Sequence, residues 1–179
     1  MAKKVISMSL SQKSIQNAIN ELRNYQSELK RKTELFVKKL AEVGITVAQT
    51  YINESPLGKY ITVKTNIIPE KAGCRAVLIA TGKIFEHEGY APFSSLLAVE
   101  FGAGIHYNPV PNPKAEELGF GVGTFPNQTH AFDENGWWFF DEDKDKWVHS
   151  YGIKATMPLC NASDAIVRDV VRIAREVFS

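Results

Sequence analysis

The chain has 179 residues, 44% of them apolar and 23% charged, with a formal net charge of +1. That length suits one domain with a closed core, and the balance is that of a globular protein rather than a disordered or fibrous one. So small a charge excludes a global field drawing nucleic acid or membrane, yet it hides an asymmetry: residues 1–51 carry nine Lys/Arg against four Asp/Glu, and residues 133–145 carry six Asp/Glu against one Lys.

A basic helix and an acidic loop can meet within a subunit, meet between neighbouring subunits, or be two solvated faces. The start, Met1-Ala2-Lys3-Lys4, is basic, but the apolar run behind it is too short and too interrupted by serine for a secretory signal. No apolar stretch approaches the roughly 18 residues that span a bilayer. A cytoplasmic protein is expected. Cys74 and Cys160 lie far apart without CxxC spacing and beside apolar residues, which predicts buried free thiols rather than zinc ligands or a disulfide.

In chain order, residues 1–10 read as a short strand or arm. Ser11 is a good helix N-cap. Behind it Ile15, Ile19, Leu22, Tyr25, Leu29, Phe36, Leu40, Val43, Val47 and Tyr51 recur mostly at steps of three or four, the period of an amphipathic helix over 11–53. Ser55-Pro56 ends it, and Gly44 is a candidate break. Such a helix is longer than a compact domain of this size needs, so a neighbouring subunit is a candidate for part of its apolar stripe.

Residues 60–88 carry a β-hairpin: a β-branched run from Tyr60 to Ile68 and a second from Cys74 to Thr81, joined by the five-residue loop Pro69 to Gly73, with Lys83 to Glu88 as a continuation of the second strand. Ser94 to Val99 suits a helical turn. From Gly102 to Gly136 periodicity fails among six glycines and four prolines, which predicts a long irregular loop; its aromatic residues argue against disorder. Residues 137–151 read as a hairpin with an acidic tip. Residues 162–178 read as a second amphipathic helix on Ala162, Ile166, Val170, Ile173 and Val177, with Asn161 or Ser163 as N-cap. Helix, strands, loop, hairpin and helix in that order make a single α+β domain, with the two long helices packed on a mostly antiparallel sheet.

The search for chemistry returns little. His106, His130, His149 and Asp133 form a conceivable metal set, but none of the four histidines has HExxH or HxxxH spacing. Ser94-Ser95 lacks a nucleophile elbow. Gly119-Phe120-Gly121-Val122-Gly123-Thr124 lacks the lysine and the strand–helix context of a phosphate loop. Cys160 with His149 has no supporting context. Trp137-Trp138-Phe139-Phe140 is the unusual feature. In a strand these put two large aromatics on each face, so one pair can fill a core while the other needs cover from the first helix, the loop or another subunit. Base stacking is a further use, but the neighbouring tip is acidic.

Leu97-Ala98-Val99-Glu100-Phe101-Gly102-Ala103-Gly104 resembles the (Y/V)EFGT signature of tailed-bacteriophage neck proteins, described as tail-completion, minor tail or minor capsid proteins. The segment His149 to Ala162, with Ile153-Lys154-Ala155 and Met157-Pro158, is similar to the (I/P)KAxxPMxxA segment before that family's last helix. Gly123-Thr124-Phe125-Pro126 and Gly136-Trp137-Trp138 look like versions from phages of Gram-positive bacteria. The likeness covers most of the chain from about Ser11 to Val177. Ala103 stands where the family usually has threonine, which puts a threonine-dependent local hydrogen bond in question.

The resemblance implies a non-enzymatic virion protein of the neck or tail, held in the host cytoplasm during assembly. It would form a ring, six-fold by the family's pattern, at the head–tail junction. Its partners would be copies of itself and the neighbouring stopper or connector, tail terminator and tail tube, with no membrane, sequence-specific nucleic acid, cofactor, metal or catalytic residue. Candidate subunit-interface residues are Trp137, Trp138, Phe139, Phe140, Glu100, Phe101 and Gly102. The alternative is a small metal-dependent hydrolase built on the loop histidines. It requires His130 and His149 to converge.

Overall fold

The computed structural model describes residues 5–71, 73–86, 92–104, 107–108, 112–118, 130, 133–141 and 144–179. The fold is α+β. Helix α1 runs over Gln12–Asn53, 42 residues, about 63 Å at 1.5 Å per residue. Ser11 caps it in extended conformation, its Oγ accepting the Ser14 N–H at 3.3 Å. Gly44 does not break the helix. It is buried, and an added Cβ would stand 2.7 Å from Ile166 Cδ1, so the glycine makes room for the last helix.

Strands β1, Ile61–Glu70, and β2, Gly73–Gly82, form an antiparallel ribbon with register Ile61↔Gly82 through Glu70↔Gly73. The connection is therefore shorter than the expected five-residue loop, because pairing continues past Pro69 to Glu70. A Thr62–Thr81 hydroxyl contact at 2.8 Å joins the strands near their open end. Lys83 to Glu86 does not prolong β2. Instead β3, Ile84–Phe85, pairs with β4, Phe93–Ser94; Glu88 lies outside the described residues. Short helix α2, Ser95–Phe101, follows with Ser94 as its cap. Strands β5, Trp137–Asp141, and β6, Lys146–Ser150, make the expected second hairpin. Among the described residues the strands thus form three separate two-stranded antiparallel pairs rather than one sheet.

Helix α3, Pro158–Phe178, starts four residues earlier than expected, and neither Asn161 nor Ser163 caps it. Pro158 supplies a preset first turn, and the capping groups come from elsewhere in the chain. α3 lies antiparallel to the C-terminal half of α1. Phe178 meets Phe36 at 5.7 Å, Glu176 pairs with Lys39, and Ile166 fills the space at Gly44. Ile173, Val177, Ala162 and Ala165 are buried, whereas Val170 is 36% exposed.

The core sits where α1 ends. Ile52, Ile61 and Val99 form one cluster; Ala98, Phe101, Ala103 and Ala115 form another; Leu57 touches both. The N-terminal half of α1 extends away from this centre. Leu22 is 56% exposed there, and Ile15, Ile19 and Leu29 are exposed as well. Among the described residues no helix is long and apolar enough to cross a membrane.

Candidate functional site

The two stretches that carry the family resemblance meet in space. Ala103 and Ile153 form an antiparallel bridge, with N–H to O distances of 2.9 and 2.7 Å. Next to it, the Thr156 and Met157 N–H groups donate to the Val99 carbonyl at 2.9 and 3.3 Å. The chain turns into this bridge through left-handed backbone at Gly102 (φ +79°) and Gly152 (φ +116°). A Cβ at Gly102 would lie 2.3 Å from the Asn108 side chain, and one at Gly152 would lie 1.8 Å from the Ala103 carbonyl oxygen. Both glycines are required by conformation and by space.

Glu100 holds the joint together from inside. Its residue is 6% exposed. Oε2 accepts the Leu159 N–H at 2.8 Å, and Oε1 accepts the Cys160 N–H at 3.0 Å and the Asn112 side-chain amide at 3.1 Å. Pro158 has no N–H, so the carboxylate meets the first two free donors of α3. Its charge also faces the positive end of the helix dipole. Asn112 additionally donates to the Glu100 carbonyl at 3.0 Å. Asn108, 4% exposed, donates to the Gly104 and Ile153 carbonyls at 3.0 and 2.8 Å and accepts the Ala155 N–H at 2.8 Å. Burial pushes the Cys160 thiol up, and the Asp164 and Glu100 carboxylates add to this.

Glu100, Phe101 and Gly102 were candidates for a subunit interface. They are buried within the chain, because a carboxylate serving two backbone donors and an amide has to be shielded from water to hold them. They work as a joint between α2 and α3. Asn108 and Asn112 were missed. The signal for them was present as two Asn-Pro pairs four residues apart, Asn108-Pro109 and Asn112-Pro113, since Pro restrains each asparagine to extended or turn backbone.

The aromatic block behaves differently. Strand pairing sets Trp138 opposite His149 and Phe140 opposite Trp147, on one face of the β5–β6 ribbon. Trp138 meets His149 edge-on at 4.9 Å, His149 meets Tyr151 at 4.7 Å, and Phe140 meets Trp147 at 5.8 Å. Trp138 and Trp147 are nevertheless 65% and 64% exposed. On the other face Trp137 stacks on His130 at 5.5 Å and leans over Gly104, which ties the ribbon to the joint. Phe139 is exposed, as is Phe140. Neither pair of aromatics is taken fully into a core, and neither strand packs broadly on another helix or strand. The ribbon's tip carries Asp141, paired with Lys144 at 2.7 Å, and Asp145.

His130 binds Asp133 at 2.7 Å on the Trp137 face, while His149 sits on the Trp138 face. The two imidazoles do not converge. His106, Gly119 to Thr124 and the Gly123-to-Pro126 motif lie outside the described residues. Among the described residues no three His, Cys, Asp or Glu side chains are grouped to hold a metal ion. Cys160 is buried at the first turn of α3 and His149 is engaged by aromatics. The arrangement is thus one satisfied internal joint and two open apolar surfaces. Comparison with protein-family models, with curated proteins and with solved structures finds no match for this chain.

Proposed function

We propose that the chain is a structural virion protein of a tailed phage or phage-tail-like particle, a ring subunit that completes the tail and joins it to the head. One observation carries the reading. Trp138 and Trp147, 65% and 64% exposed on one face of a ribbon, present apolar surface of the size that protein interfaces use as anchors. A solitary soluble protein gains nothing from leaving such a face wet.

Two further features agree with it. The polar groups buried at the joint are matched to one another, as a scaffold requires. The long α1 leaves its N-terminal apolar stripe open, as a subunit reaching a neighbour would. The partners are other copies of the chain, in a ring that the family resemblance suggests is six-fold, and the neck and tail proteins on either side. The site of action is the virion neck, after assembly in the host cytoplasm.

The test is to disrupt the coding sequence in the genome that carries it. Filled heads and separate tails that fail to join are the expected products. Intact, infectious particles would overturn the proposal.

A further inference from the structure

Ile15, Ile19, Leu22 and Leu29 follow steps of four, three and seven along the open half of α1, which is the spacing of a coiled-coil seam. Seven residues on, the same row reaches Phe36, whose ring meets Phe178 at the end of α3. The seam is therefore continuous with one that α3 already occupies, and it loses its cover where α3 stops. Leu22 is 56% exposed and Ile15 39%.

The charges beside the seam identify what covers it. Arg23 and Lys30 each follow a seam leucine directly and flank the row, whereas Glu21 and Glu28 fall further round the helix. Two such helices laid seam to seam would bring Arg23 and Lys30 together with no acid between them, which is unfavourable. The occupant has to be apolar and acidic. This chain carries one surface of that kind among its described residues: the aromatic face of β5–β6, with Trp138, Phe140 and Trp147 beside Asp145 at the tip.

We propose that the projecting half of α1 docks its open apolar row on the aromatic face of the β5–β6 ribbon of a second copy of this chain. The proposal rests on the ring reading above and names its contact. Because helix and ribbon are different surfaces, the contact is head-to-tail, and repetition closes a ring or grows a filament.

Light scattering after size exclusion tests it on the full-length chain with exposed-residue variants, each checked by circular dichroism for wild-type helicity. The helix variant is Leu22→Glu with Leu29→Glu, backed by the charge reversal Arg23→Glu with Lys30→Glu. The ribbon variant is Trp138→Ser with Trp147→Ser. Wild type should assemble, and each variant alone should run at the 20.0 kDa of one chain. An equimolar mixture of a helix variant and the ribbon variant should recover a dimer and nothing larger, since each retains one working surface. Assembly of the ribbon variant through its helices would overturn the proposal, as would wild-type-like assembly of the helix and ribbon variants; in both cases the ring reading survives. A wild-type chain that remains single at high concentration would overturn the ring reading and the docking proposal together.

Discussion

Glu100 Oε2 accepts the Leu159 N–H at 2.8 Å, so the first turn of the last helix is capped by a side chain from a different helix. Met157, at the N-cap position itself, offers no side-chain cap. The bond joins the two sequence stretches that resemble neck proteins and turns them into one mechanical unit. Replacing Glu100 with alanine leaves the Leu159, Cys160 and Asn112 donors buried without their acceptor, and the expected loss is about 3 kcal/mol of unfolding free energy. Glu100→Gln keeps the shape but loses the charge at the helix end, and about 1–2 kcal/mol is expected. Urea denaturation followed by circular dichroism measures both. Wild-type stability for Glu100→Ala would show that the cap is dispensable.

Gly102 and Asn108 should be coupled. Gly102→Ala forces a side chain into left-handed backbone and against Asn108, a combined cost of about 3 kcal/mol. In an Asn108→Ala background the collision disappears while the backbone strain remains. The second substitution should therefore cost about 1–2 kcal/mol less there than in wild type. Additive losses in a double-mutant cycle would contradict the packing described.

Adjacent tryptophans should separate folding from assembly. Trp137 rests on His130 and over Gly104, so Trp137→Ala is expected to lower stability by about 2 kcal/mol or more. Trp138 is mostly exposed, and Trp138→Ala is expected to move stability by no more than about 0.5 kcal/mol while weakening association. Thermal melting and sedimentation velocity, run on the same two samples, separate the two effects.

Acid should loosen the pairing of α1 with α3. The hydrogen bond and charge of Lys39 hold the Glu176 carboxyl below its ordinary range, and Arg172 does the same for Asp169 within α3. A carboxyl with a lowered folded pKa adds stability above its unfolded pKa of about 4.3 for Glu, and loses it as pH falls through the folded value. The groups are solvent-exposed, so the contribution is small and falls with salt. Wild type should therefore lose more stability than Glu176→Gln between neutral and strongly acidic pH at low salt. Equal losses would show that the Lys39–Glu176 pair contributes nothing.

The long helix was legible because ten apolar positions keep one period and Ser11 carries the cap. The β1–β2 ribbon was legible from β-branched runs, though the turn was not, because Pro69 looked like a stop and stands instead within the pairing. The start of α3 was invisible to local reading, since its cap arrives from Glu100, 59 residues before Leu159. The same distance effect hid the role of Glu100-Phe101-Gly102: a short motif gives no sign of whether it faces out or in. The aromatic block announced that some of its rings lacked cover. Only the register and exposure of β5 and β6 identify Trp138 and Trp147 as the most open.

Negative-stain electron microscopy of the purified full-length chain at micromolar concentration bears most directly on assembly. Closed rings of uniform diameter, lost in the Trp138→Ser, Trp147→Ser variant, are the expected result. Wild-type particles that stay single, with no ring at any concentration, would contradict the account.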